Sequence, residues 1–165
     1  MKKATILTVL FVLVAGFTLP EVQAQTFQVG PRIGYDLAGD PEDLFLGIEG
    51  RAAVAVLPIT LSGVFDFFLT DNNPDSFFQF SINGLYSLGS EGNDGLAPYV
   101  GVGVGINRIS DNDFSDTSTG LNLIGGAHFR VGTLRPYFQG QLTLGEADLL
   151  TIGVGLPFNV GNDAN

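Results

Sequence analysis

The chain of 165 residues has no cysteine, no tryptophan, one histidine, and no lysine beyond Lys3. Without cysteine, neither a disulfide framework nor a thiolate metal site is possible. The first 24 residues hold Lys2, Lys3 and Glu21, so the remainder carries 5 Arg against 16 acids, a charge of −11. That balance argues against nucleic acid as a partner, because neutralising phosphates takes clustered Lys and Arg. From Gln25 onward there is no helical periodicity. Nor is there a second apolar run of the ~20 residues that a membrane-spanning helix needs.

The opening segment is a targeting signal in pattern. Lys2 and Lys3 give a basic start, Ala4 to Leu19 is apolar, and Val22-Gln23-Ala24 offers small residues for cleavage. Its apolar stretch is too short to span a bilayer. No cysteine comes after it, so a lipoprotein is excluded. Residues 1–24 are therefore expected to be a signal peptide cleaved near Ala24, leaving 25–165 as one domain.

The rest of the chain alternates. In Tyr99 to Ile109, Val100, Val102, Val104 and Ile106 share one face, while Gly101, Gly103, Gly105 and Asn107 share the other. A period of two is a β-strand, since successive side chains leave opposite sides of the pleat. A nearly bare second face suits the inside of a narrow barrel. Similar runs begin near Phe27, Leu44, Ile59, Phe78, Leu121, Tyr137 and Leu149, separated by turn chemistry such as Asp71-Asn72-Asn73-Pro74 and Gly132-Thr133. Ser110 to Ser118 reads as the most polar loop. Eight runs of about ten residues match the length of tilted membrane strands.

Eight alternating strands make either a soluble barrel, apolar inside, or a transmembrane barrel, apolar outside. The polar faces decide. They carry Gly, Ser, Thr, Asn, Gln and six charges: Arg32, Asp36, Glu49, Arg51, Asp66 and Arg130. A soluble surface would be far richer in charge. Three positive and three negative groups are what a closed lumen tolerates, since buried charges must pair. The expectation is an all-β, eight-stranded antiparallel up-and-down transmembrane barrel with a polar lumen. Ten of the 17 acids, among them Asp40, Glu42, Asp71, Asp113 and Glu146, fall in the four connections at one end, which would face outward.

A signal peptide, eight alternating strands, an apolar final strand and a charge-paired lumen resemble the small outer-membrane β-barrels of the OmpA and OmpX kind. The resemblance implies an outer-membrane location, lipid and the barrel-assembly machinery as partners, and no cofactor. It implies a non-enzymatic role in envelope structure, or in surface contact with an external ligand at the acidic loops. A lipid-modifying enzyme or a narrow solute channel is the alternative. Such barrels typically end on an aromatic residue, whereas here Phe158 is followed by Asn159 to Asn165.

Candidate chemistry lies on the lumenal face. A turn at Asp40-Pro41 would set Arg32 opposite Glu49, and a turn at Pro58 would set Arg51 opposite Asp66. Such pairs gate a pore or fill a core. The filled core is favoured, because eight strands leave interior room for side chains alone. His128 stands two residues before Arg130 on the same face. Outer-membrane lipid A deacylases place a Ser at that spacing, and the Arg here leaves no nucleophile. Asp111 to Asp116 imitates a calcium loop, but lacks the Gly and Glu that such a loop requires at positions six and twelve. The Gly-Val repeats open no helix and cannot cradle phosphate. No metal site is expected. Sequencing the amino terminus of the membrane-extracted protein should begin at Gln25, and a retained Met1 would remove the signal-peptide assignment.

Overall fold

A computed structural model describes residues 27–38, 43–54, 57–69, 76–89, 95–111, 114–132, 134–145 and 148–160, and every regular element in them is a strand. The expected signal peptide lies outside these residues, as do Asp40, Glu42, Asp71, Asp75, Asp113 and Glu146. The strands are β1 (Phe27–Asp36), β2 (Leu44–Ala53), β3 (Ile59–Phe68), β4 (Ser76–Ser87), β5 (Leu96–Asp111), β6 (Phe114–Phe129), β7 (Tyr137–Gly145) and β8 (Leu149–Gly155). A two-residue piece, β9 (Phe158–Asn159), continues β8. Each strand pairs antiparallel with its sequence neighbour, and β8 pairs back onto β1, so the sheet closes into an eight-stranded barrel.

Closure runs through Arg32↔Gly155 to Asp36↔Thr151, and β9 keeps the same register along β1 at Val29↔Phe158. Pro157 interrupts the ladder because it has no N–H to donate. Gly30 faces it, and a Cβ there would lie 2.7 Å from Pro157 Cα. Between β6 and β7 the chain reverses at Gly132, whose φ of 63° favours a residue without a Cβ. Val131 and Leu134 exchange backbone hydrogen bonds of 3.0 and 3.1 Å across that reversal.

The alternation becomes two surfaces. Outside, Ile48, Ile82, Val102, Val104 and Leu121 are each at least half exposed, and comparable side chains belt the barrel all round. Soluble proteins rarely show a contiguous apolar patch beyond a few hundred Å². Inside, Arg32, Glu49, Arg51, Asp66, Gln79, Asn83, Asn107, Asn122 and Gln139 are buried. We call the end where β1 begins the near end and the other the far end. Phe45, Phe68, Phe77 and Leu149 pack together inside the barrel at the far end, while Leu85, Tyr99, Ile124 and Tyr137 pack together towards the near end.

Two expectations need correction. The presumed loop Ser110 to Ser118 is largely strand: β5 and β6 stay paired out to Asp111↔Phe114. Pairing of β6 with β7 starts only at Gly120↔Gly145, so the β5–β6 ribbon outruns its neighbour on that side. Polar composition marked this segment as leaving the apolar belt, not as leaving β-structure. Arg130 is exposed past the end of β6, its N–H bonded to Gly95 O at 3.0 Å, and does not join the lumen. The alternation that placed it inside stops one residue earlier.

The two faces of β5 yield a paired test. Arg in place of Val102 should cost ~2–4 kcal/mol, since a charge near the bilayer midplane is poorly solvated. Gly103→Leu should also destabilise, for lack of space: a side chain there would run into the Asn83 side chain and the Ile82 carbonyl. Folding titrations in lipid vesicles that find Gly103→Leu neutral would reverse the assignment of faces.

Candidate functional site

The lumen holds two arginine clusters and an amide ladder. In the first cluster Arg51 makes a two-pronged pair with Glu49 from its own strand, Nε to Oε1 at 2.8 Å and Nη2 to Oε2 at 3.1 Å. Glu49 also accepts from Ser62 Oγ at 2.5 Å and from the Tyr137 hydroxyl. The Arg51 guanidinium lies 3.9 Å from the centre of the Tyr137 ring. Its Nη1 is 2.8 Å from His128 Nε2. Arginine carries only donors, so that ring nitrogen accepts.

The second cluster crosses two strands. Arg32 on β1 and Asp66 on β3 both pair laterally with Gly47 on β2. Next-but-one strands stand ~9.6 Å apart, twice the usual spacing, which long side chains bridge only if nothing stands between. Gly47 leaves that gap. A Cβ there would strike the Asp66 carboxylate and lie 3.0 Å from Arg32 Cγ. Arg32 Nε consequently reaches Asp66 Oδ1 at 3.2 Å, both side chains almost wholly buried. The Arg32 guanidinium also lies 5.2 Å from the centre of the Phe45 ring.

The ion pairs therefore differ from the expected ones. Arg32 faces Asp66, not Glu49, and Arg51 holds Glu49, not Asp66. The observed registers place Arg32 beside Gly47 and Arg51 beside Ser62. The hairpins turn slightly earlier than Asp40-Pro41 and Pro58 suggested. Each slip is by an even number of residues, so every side chain keeps its face while its partner changes.

Asp36 is buried at the far end and ties the barrel seam, its Oδ1 accepting from the N–H of Leu150 at 3.2 Å and of Ala38 at 3.4 Å. The rest of the interior is amide chemistry that residue type alone did not single out. Gln79 donates to Asn107 at 2.8 Å, Asn122 to Asn83 at 2.9 Å, and Thr143 to Asn122 at 2.9 Å. Position on the inward face was the available signal for these. Among the described residues no group of His, Asp or Glu gathers as metal ligands. Arg51 occupies the Nε2 of His128, and Tyr99 and Tyr137 flank its ring.

Comparison with protein-family models and with curated proteins finds no match. Among solved structures, Neisserial surface protein A (NspA) superposes with a TM-score of 0.58 at 11% identity, covering 81% of this chain and 97% of that one. The fold is that of the small outer-membrane β-barrels. Ail, the attachment invasion locus protein of Yersinia pestis, covers the same shares at 14% identity with a TM-score of 0.48.

Pairing across Gly47 has an energetic signature. Asp66→Ala leaves Arg32 buried without its partner and should destabilise by ~3–5 kcal/mol. Arg32→Ala/Asp66→Ala should then cost clearly less than the sum of the single changes, whereas Arg51→Ala/Asp66→Ala should lie closer to additive. Vesicle folding equilibria measure both cycles, and additivity in the first would remove the pair.

Proposed function

We propose that this protein is a non-enzymatic outer-membrane barrel that supports the envelope or makes surface contacts through acidic connections at the far end. In this reading the near end faces the periplasm and the far end the exterior. The filled lumen carries the reading. Two clusters of buried apolar and aromatic side chains lie towards the two ends, with paired charges and hydrogen-bonded amides among them, so side chains occupy the interior. A barrel whose interior is a packed core has its ends and its outer wall left for recognition. The acids in the far-end connections would give that end a strong negative field, suited to cationic groups on a partner. NspA, which shares the fold, is named as a surface protein.

The test is electrical. The folded full chain in planar bilayers should show no discrete conductance steps, and fractionation should recover it with the outer membrane. Regular unitary steps would favour the channel alternative, and recovery of folded protein in the soluble fraction would overturn the membrane assignment.

A further inference from the structure

The outer wall is not uniform. On the lipid-facing side, where β1, β7 and β8 meet, an apolar groove of about 360 Å³ has Pro31 and Pro136 in its lining. Ile33, Leu46, Val154 and Leu156 project around it. Its cause lies in the ladder. Pairing of β7 with β8 ends at Tyr137↔Gly155, and beyond it come Pro136 on one chain segment and Leu156-Pro157 on the other. Two prolines beside the same seam remove donors that would have continued the sheet, and their compact rings leave less surface filled than long side chains would.

A second groove of about 250 Å³, lined by Tyr35, Leu44, Phe138 and Ile152, shares Ile33 and Val154 with the first. From Pro31 to Tyr35 the strand advances four residue steps, ~13 Å along its axis and ~10 Å along the membrane normal at the usual tilt of barrel strands. The first groove lies towards the near end, and the second carries the apolar track on to Tyr35 and Leu44 at the far end.

The track has a polar foot. Arg135 precedes Pro136, and Pro157 follows Leu156, and both line a polar cleft of about 270 Å³ at the near-end rim. Gln28 and Asn159 complete its polar lining, bonded to each other at 2.9 Å. Arg135 is exposed there, in a chain whose overall charge is −10. A guanidinium has five donors in a planar fork, a geometry suited to recognition of a phosphate.

We propose that this amphipathic track binds one anionic glycerophospholipid of the periplasmic leaflet, with an acyl chain along Pro31, Ile33 and Val154 and its phosphate at Arg135. The orientation rests on the function proposed above; the site itself does not. Every membrane barrel touches lipid around its whole girdle, and such contacts do not discriminate between headgroups. A retained lipid of fixed stoichiometry and fixed charge is what separates this site from the rest of the wall.

The test is native mass spectrometry of the folded full chain in micelles containing equal phosphatidylglycerol and phosphatidylcholine. One phosphatidylglycerol should be retained per chain, with a preference over phosphatidylcholine of about five-fold, as for one basic side chain near anionic lipid. Arg135→Gln, an exposed change, should abolish the preference, and Arg108→Gln at the far end should keep it. Val154→Phe, which fills the track without adding polarity, should reduce retention of both lipids. Equal retention of the two lipids by the unaltered folded protein overturns the lipid site alone, as does a preference that survives Arg135→Gln. Failure of the chain to fold in any micelle or vesicle overturns the site together with the membrane barrel.

Discussion

In hydrocarbon a backbone amide has no water to bond, and an unsatisfied one costs several kcal/mol. A sheet meets that constraint only by having no edge. The pairing of β8 with β1 is therefore the contact on which the other seven pairings depend. Closure makes an inside and an outside, and the two-residue period of each strand then sorts side chains between them. The apolar belt and the polar interior are two results of one backbone requirement.

The same closure limits the interior. Eight strands enclose little more than the width of facing side chains. Large groups on one wall therefore require small ones nearby. Gly47 lets Arg32 and Asp66 meet across β2, and the glycine face of β5 leaves room for the amides of Asn83 and Asn122. Charge within the barrel is matched at short range by opposite charge and aromatic faces, so each arginine is held by its own local cluster. Glu49 receives Arg51, Ser62 and Tyr137 together, which leaves it little capacity to leave its place.

The architecture was legible because periodicity survives errors of register. Val100 to Val104 outside and Gly101 to Gly105 inside follow from the sequence whatever strand lies beside them. The partners of Arg32 and Arg51 were not legible, because they depend on which residue occupies the centre of each hairpin. A shift of two or four positions preserves the faces and exchanges the partners. Gly47 was the overlooked clue, a gap on an inward face between two charges. The β5–β6 ribbon was missed for another reason: Ser115 to Thr119 are polar on both faces, so they lack the contrast by which strands are recognised, although their backbone pairing continues.

The seam between β1 and β8 also sets an order of events. Asp36 and Leu150, which it joins by a hydrogen bond, stand 114 positions apart in the chain. Each of the other seven pairings joins neighbours in sequence and can form locally, but the open sheet of eight strands that they make still presents two bare edges to hydrocarbon. The most costly loop-closure entropy thus belongs to the contact that removes both edges at once. Insertion is accordingly all-or-none with respect to β8. Until that strand arrives, every earlier hairpin must be shielded from the bilayer or kept in water. A chain truncated before Leu149 would be arrested at that stage, whatever the quality of its remaining strands.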